Sequence, residues 1–350
     1  MTFDPSSRAL LTPRDLSHFA AETLFCEVAR ALCHARCLPR KELFESWEVA
    51  QRTRQRFRGG KVFDLACGHG LIAQLMLLLD DSSVSAQAID RRLPASARKV
   101  AAALGAVWPQ LNSRVEFIQG PISRVQLEPG DIAVSAHACG ALTDEVLTLA
   151  AAAQARVAVL PCCHDGDSND SAGLEGWLEQ GLAIDAVRAV ELRNRGYQVH
   201  TEVISAATTP KNRLLLGRPL LELYRATRYD AHLPQGVISL RDGEPAPALD
   251  ALLRPDAPSW AFITAWNPGS RQLSRPENER RQKALVRELT GRYRLFPGAG
   301  IGDDGNWPPE LSVLALGISE TDAIARGRAW GQFAILVGSR GTRARIVSSR

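Results

Sequence analysis

No stretch of this 350-residue sequence is apolar for long enough to cross a bilayer: the longest run, "LIAQLMLLL" at 71–79, is about half of the ~20 residues that a membrane helix needs. The first 25 residues lack the basic-then-apolar layout of a secretory leader, so the chain is expected to be cytoplasmic, with no membrane partner. No internal repeat and no low-complexity tract is present. Lysine is scarce, so nearly all the positive charge is arginine, and the net charge of +4 permits an anionic partner without requiring one. The seven cysteines, Cys26, Cys33, Cys37, Cys67, Cys139, Cys162 and Cys163, form no disulfide framework and are expected to be reduced thiols.

What is present is enough chain for two domains. Residues 13–57 read as helices. Pro13 and Asp15 start one, apolar residues recur at helical spacing through "HFAAETLFCEVARAL", and a second follows Pro39 in "PRKELFESWEVAQRTRQRF". Cys26, Cys33 and Cys37 are spaced to suit the buried face of a helix. From residue 61 short apolar strands alternate with alanine- and leucine-rich helices. Strands are expected at Val62–Leu65, Val84–Ile89, Val115–Ile118, Ile132–Ser135, Val157–Leu160, Ala186–Leu192 and Gln198–Ile204. Such alternation means a parallel, doubly wound sheet, and the last two strands, joined across "RNRG", read as a hairpin that puts one antiparallel strand into it. The pattern stops after "GRPL" at 217–220. Beyond a Pro-, Gly- and Asp-rich stretch at 234–258 come a strand-like "SWAFITAW", a charged helix "RPENERRQKALVREL", a glycine loop "FPGAGIGDDGNWPPE", a strand "LSVLALGI" and a closing helix and strand. A boundary is expected near Tyr224.

The first strand runs into "GHGLIA", which fits G-x-G-x-x-A, and Asp90 follows Gly70 by 20 residues at the end of the second strand. On spacing alone this suits a dinucleotide, whose pyrophosphate would sit at the helix N-terminus. Asp64 argues for a different ligand. A carboxylate beside a pyrophosphate repels it, whereas the methionine end of S-adenosylmethionine carries an ammonium group that such a carboxylate attracts. Asp90 is placed to accept from both ribose hydroxyls, and Gln119, Gly120, Pro121 and Ile122 end the third strand where an adenine would lie. The candidate cofactor residues are therefore Asp64, Ala66, Cys67, Gly68 and Gly70 in the first turn, Asp90 and Arg91 after the second strand, Gln119 to Ile122 after the third, and His137 after the fourth.

"SAHACGALTDEVL" at 135–147 and "VAVLPCCHD" at 157–165 follow strands four and five. Ligands of doubly wound sheets bind beyond the carboxyl ends of the strands, so His137, Cys139, Cys162, Cys163 and His164 should gather beside the methyl donor as the candidate catalytic group. "DLACGHG", "HACGALTD" and "PCCHD" together resemble a group of class I methyltransferases over about residues 60–220. That group includes the eukaryotic enzymes that methylate a tRNA ribose 2′-oxygen, with glutathione-transferase-like and methyltransferase-like relatives, and "TTPKNRLLLG" at 208–217 is similar to the closing strand of bacterial members. The resemblance implies S-adenosylmethionine as cofactor and an RNA acceptor, tRNA or rRNA, although the N-terminal zinc finger of the tRNA enzymes has no counterpart here. From residue 224, "ITAWNPGS", "RPENERR", "WPPELSVLALGI" and "WGQFAILVG" resemble a small bacterial domain of unknown function, in which Trp266, Asn267, Arg271, Asn278 and Glu310 either gather at a surface or pack and hydrogen-bond.

Two rival chemistries remain for the strand ends. His137, Cys139, Cys162 and Cys163 or His164 have the donors for a zinc tetrahedron, but their spacing matches no ribbon or finger, and no metal is expected. A thiolate near a sulfonium would have a lowered pKa and serve as a nucleophile. Arg52, Arg54, Arg56 and Arg58 surround Phe57 and form either a phosphate-contacting patch or a solvated helix end. The expected architecture is a Rossmann-like, seven-stranded class I methyltransferase sheet (59–222) with a helical N-terminal cap (1–58) and a second, smaller α/β domain (223–345). The expected function is an S-adenosylmethionine-dependent methyltransferase acting on RNA. The alternatives are a small-molecule methyltransferase and a non-catalytic cofactor- or RNA-binding module.

Overall fold

Val62–Leu65 forms the strand β1, and all four of its residues are buried because helices cover both faces of the sheet it belongs to. The computed structural model describes residues 3–136, 138–303 and 307–349. These divide into two units, Met1–Pro219 and Leu220–Arg350.

In the first unit a 3₁₀ turn at Pro13–Phe19 precedes α1 (Leu24–Ala35) and α2 (Arg40–Arg56). The helix expected to run on from Pro13 is thus broken, because Thr23 starts a new one: its side chain accepts from the Cys26 N–H at 3.3 Å. After β1 come α3 (Leu71–Leu79), β2 (Ala86–Asp90), α4 (Ala95–Val107), the short α5 (Leu111–Arg114), β3 (Val115–Gln119) and β4 (Ile132–Ser135). The unit closes with α6 (Ala141–Ala153), β5 (Arg156–Val159), α7 (Gln180–Asn194), β6 (Tyr197–Val203) and β7 (Arg213–Pro219). The strand order is β3-β2-β1-β4-β5-β7-β6, parallel except for β7, which runs antiparallel to both neighbours.

Seven strands are present, as expected, but not the same seven. Residues 186–192 are helical, inside α7. Their sequence, "AVRAVEL", carries two valines, a residue that favours strands, yet Ile184, Arg188 and Leu192 are buried at intervals of four, and the Glu179 carboxylate caps the helix by accepting from the Gly181 and Leu182 N–H groups. The hairpin is therefore not made across "RNRG". It joins β6 to β7, with Tyr197 opposite Pro219.

One core cluster joins α1, α2, α3 and α4 to one face of the sheet, and it takes in Cys26, Cys33 and Cys37, which are buried as their spacing suggests. On the other face α6 and α7 pack through Val146, Leu147, Ala150 and Leu192 around Tyr197, whose hydroxyl lies between the carbonyl oxygens of Ala150 and Ala155, 2.8 and 2.7 Å away, and shares its one proton with them. Among the described residues no helix is long and apolar enough to cross a membrane.

The second unit contains α8 (Leu220–Arg225), β8 (Thr227–Leu233), β9 (Gly236–Leu240), α9 (Pro247–Asp250), β10 (Ser259–Ile263) and α10 (Arg275–Leu289). It continues with β11 (Arg294–Gly302), β12 (Glu310–Leu316), α11 (Glu320–Ala329), β13 (Ala334–Ser339) and β14 (Arg345–Ser348). Its sheet has the order β14-β13-β10-β12-β11-β8-β9, and every pairing is antiparallel. The expected glycine loop begins as a strand, since Phe296 to Gly302 lie in β11. Gly298 serves close packing rather than a turn: a Cβ there would fall 2.4 Å from the Asp230 carbonyl oxygen and 2.6 Å from the Phe262 ring.

Candidate cofactor turn and strand-end thiols

The turn between β1 and α3 is built on left-handed backbone. Ala66, Gly68 and Gly70 have φ of 56°, 54° and 65°. Gly70 needs its missing Cβ, which would lie 2.4 Å from Cε1 of Phe117 on β3. At Gly68 and Gly120, by contrast, a Cβ would meet nothing within 4 Å, so the space above the turn and beside the end of β3 is open. The Cys67 N–H donates to the Ile89 carbonyl at 3.0 Å and ties the turn to β2. Asp90 completes the frame: its carboxylate accepts from the Gly68 N–H at 2.9 Å and the Arg92 N–H at 3.0 Å, and its carbonyl accepts from the Gly120 N–H.

Asp64 lies beneath this frame, 1% exposed, and accepts from the Ala73 N–H at 3.1 Å. Burial pushes its carboxyl well above the ordinary carboxylate range and nearby Asp90 adds to this, while the Ala73 N–H opposes it. Burial also raises the Cys67 thiol, and Asp64 and Asp90 add to this. Two residues not foreseen from sequence support the turn. Buried Gln74 donates to the Gly70 carbonyl at 3.1 Å, and His69 Nε2 lies 2.7 Å from a Glu42 carboxylate oxygen on α2. Gln119 and Arg91 are exposed and Ile122 is buried. S-adenosylmethionine suits this donor set. Asp90 offers further lone pairs at the mouth, the Gly68 and Gly120 faces are open, and the buried carboxyl of Asp64 lacks a cationic partner among the described residues.

Cys139, after β4, and Cys162 and Cys163, after β5, come together. The sulfurs of Cys139 and Cys162 are 3.1 Å apart, those of Cys162 and Cys163 are 3.8 Å apart, and all three lie within 4.8 Å of one another. Cys139 and Cys163 are exposed. His137 lies outside the described residues.

His164 does not stand in an open pocket, contrary to its expected place. Its side chain is 4% exposed, and Nε2 lies 2.8 Å from Asp185 Oδ1. It belongs to a charged network that ties the two loops to α7. Arg188, 2% exposed, donates to both Asp144 oxygens, to Asp185 and to the Gly140 carbonyl. Asp185 also accepts from Arg213 at 2.7 Å. Asn169 links Asp144 to the Asp165 N–H, and the Gly140 N–H donates to the Cys163 carbonyl. Asp144 sits in the motif "HACGALTD", but its partner Arg188 belongs to the segment read as a strand.

The arginines of α2 are not the free patch that their spacing suggests. Arg52 pairs with Glu48 and Glu202, and Arg56 pairs with Glu202, an acid that β6 brings from about 150 residues away. Arg54 is buried against the Met76 carbonyl and Ser83 Oγ, with its pKa pushed down to about 10 by burial against the pull of Asp80. Arg58 is exposed.

In the second unit Asn267, Asn278 and Glu310 do meet. Asn267 and Asn278 exchange hydrogen bonds at 2.7 and 2.8 Å, and Glu310 accepts from Asn267 at 2.6 Å and from the Trp307 indole at 2.7 Å. Trp266 is buried beside them in sequence, and Arg271 is exposed. This is a latch that holds the loop after β10. Asn278→Ala is expected to cost about 2 kcal/mol by leaving the Asn267 N–H without its acceptor in the interior. Urea unfolding of the full chain checks it, and a loss below about 0.5 kcal/mol would remove the latch from the account.

Residues 42–166 match the family described as Methyltransferase domain, and residues 263–335 match a protein family of unknown function, DUF3293. No curated protein matches the chain. Among solved structures, an O-methyltransferase family protein from Burkholderia thailandensis is 19% identical, with a TM-score of 0.36, and the match covers 59% of this chain and 62% of that one. A tRNA methyltransferase from B. subtilis is 15% identical, with a TM-score of 0.34, over 51% of this chain and 68% of that one. The chain thus spans less than two thirds of the first of these proteins. The chain carries a methyltransferase domain, matched over residues 42–166 in the unit built on the seven-stranded mixed sheet, followed by a DUF3293 match over residues 263–335.

Proposed function

We propose that this chain transfers a methyl group from S-adenosylmethionine to an RNA acceptor. The observation that carries the acceptor is a set of exposed arginines at the edge of the cofactor turn. Arg91 and Arg92 follow β2 and Arg124 follows β3, on adjacent strands in which Asp90 is paired with Gln119. Guanidinium groups placed there meet phosphates beside the methyl donor, a role that the paired arginines of α2 no longer supply. The resemblance of the strand-end motifs to RNA-methylating enzymes points the same way.

The cofactor supplies an electrophilic methyl group, and the chain's residues supply alignment. Asp90 orients the ribose end through its carboxylate. Asp64 meets the ammonium end, which offsets the cost of a buried carboxylate. The loops after β4 and β5 form the acceptor mouth, with Cys139, Cys162 and Cys163 on its wall. His164 is a positioning residue that holds the β5 loop through Asp185. His137, between β4 and α6 in the chain, is the candidate base for a hydroxyl proton.

Asp90→Ala is expected to weaken S-adenosylhomocysteine binding by about 1.5–3 kcal/mol, the scale of charge-assisted bonds to two hydroxyls. Calorimetry reads this, and unchanged affinity removes Asp90 from the site. Asp64→Asn separates the two costs. A carboxyl whose folded pKa is raised loses stability as pH climbs from its unfolded value through its folded one, so the free protein should be more stable at neutral pH with asparagine there, and its pH slope flatter. The same variant should bind S-adenosylhomocysteine more weakly. Equal affinity would show that Asp64 serves the turn alone.

The acceptor is tested by replacing Arg92 and Arg124 with glutamine. RNA affinity should fall and the slope of its logarithm against salt should flatten by about 1.4–1.8, since each of the two lost phosphate contacts removes roughly 0.7–0.9 of a released counterion. Cofactor affinity should stay as it was. An unchanged slope, or methyl incorporation into small molecules with none into total RNA by nucleoside mass spectrometry, overturns the RNA reading.

A further inference from the structure

Three thiols from two separate crossover loops converge at the carboxyl edge of the sheet. Cys139 and Cys162 are 23 residues apart in sequence and 3.1 Å apart at sulfur, and Cys163 is 3.8 Å from Cys162. Among the described residues these sulfurs have no side-chain partners but one another. Their loops are held from behind: the Gly140 N–H donates to the Cys163 carbonyl, and Arg188 grips the Gly140 carbonyl and Asp144. The cluster is thus placed by a rigid frame, as ligand sets are.

The spacing fits a tetrahedral metal. With Zn–S bonds of about 2.3 Å, the edge of a thiolate tetrahedron is about 3.8 Å: Cys162 and Cys163 already stand at that distance, Cys139 and Cys162 at 3.1 Å, and all three sulfurs within 4.8 Å of one another. A Cys139–Cys162 disulfide would need the sulfurs to close to about 2.05 Å and would leave Cys163 without a role. A metal uses all three. Finger and ribbon spacings do not apply, because the ligands come from the ends of two parallel strands and not from one hairpin.

We propose that Cys139, Cys162 and Cys163 bind one Zn²⁺ ion, with the fourth coordination position open to solvent or to a donor atom of an incoming ligand. This reverses the expectation of no metal drawn from spacing along the chain. It does not depend on which acceptor is methylated. On binding, each ligating thiol releases its proton to solvent and the metal remains divalent, so no oxidant is needed. The exposure of Cys139 and Cys163 leaves the site accessible, and three protein ligands with one open position is the pattern of zinc sites that take an outside ligand.

The full chain, purified without a histidine tag under reducing conditions and stripped with a chelator, is titrated with Zn²⁺ against a chromophoric competitor. Thiols are counted before and after. The expected result is one equivalent per chain, protection of three thiols, and thiolate-to-metal charge-transfer absorption when Co²⁺ replaces zinc. Cys162→Ser should lower zinc affinity by about a hundredfold or more, and Cys139→Ser and Cys163→Ser by at least about tenfold, on the scale of lost ligation. All three variants should bind S-adenosylhomocysteine as the unmodified chain does, which keeps this result separate from the cofactor assignment. If Cys162→Ser does not fold, the exposed Cys163→Ser and the thiol count carry the test. Thiols equally reactive with and without zinc, or serine variants that hold zinc undiminished, overturn the site. So does a Cys139–Cys162 disulfide whose reduction restores no zinc uptake.

Discussion

Arg188→Ala is expected to destabilise the methyltransferase domain by about 3 kcal/mol, among the largest effects of any single substitution behind the site. The guanidinium is buried and spends its donors on Asp144, Asp185 and the Gly140 carbonyl, so its loss leaves a carbonyl and a carboxylate in the interior with fewer partners. Asp144 is 42% exposed at its side chain and regains water, which holds the loss below the upper end for a broken buried pair. Asp185, 12% exposed, keeps Arg213 and His164. Arg188→Lys should recover only part of the loss, since an ammonium group cannot span both carboxylates and the carbonyl. Urea unfolding of the two variants, with Asp144→Asn to close a double-mutant cycle, measures the coupling. A loss under about 1 kcal/mol for Arg188→Ala would show that the network is ornamental and that the loops bearing the thiols are held by something else.

Gly70 and Gly68, two residues apart, should respond to alanine in opposite ways. At Gly70 the added methyl would lie 2.4 Å from Phe117 Cε1 and 3.2 Å from the Ala88 Cβ on backbone with φ of 65°. Left-handed strain of roughly 1 kcal/mol and overpacking of roughly 1–3 kcal/mol combine to a loss of about 2–4 kcal/mol in stability. At Gly68 the methyl meets nothing, so only the strain remains, about 1 kcal/mol. That methyl instead projects into the open space over the turn, and S-adenosylhomocysteine affinity should fall about tenfold or more. Melting curves and calorimetry on both variants decide the matter. Equal losses of stability, or a Gly68→Ala protein that binds as well as before, would move the cofactor away from this turn.

The parts of this protein that were legible in its sequence are those in which neighbours along the chain determine the outcome. β1 and β4 have the residue limits that their apolar runs indicate, and α10 is bounded by Ser274 and Thr290 as its charged pattern suggests. The glycine turn was legible for a similar reason. A strand, an acid and two left-handed glycines must follow one another in sequence before they form a turn in space, and Asp90 is the next strand's end. Where residue preference and periodicity disagreed, local reading went astray. The valines of "AVRAVEL" favour a strand, and what chooses the helix is burial at intervals of four against the sheet together with a cap from Glu179.

Side chains far apart in sequence find one another only in the folded chain. The α2 arginines looked free until β6 delivered Glu202 to them, and His164 looked catalytic until α7 brought Asp185 to its ring. The cysteines carried no metal pattern in sequence, yet β4 and β5, neighbours in the sheet, place their loops side by side and bring three sulfurs within 4.8 Å. The alternation of strands and helices and the acid-and-glycine turn are written along the chain, because each depends on residues a few positions apart. Pairing, burial and the gathering of the thiols depend on strand order, which is settled when the sheet closes around its two cores.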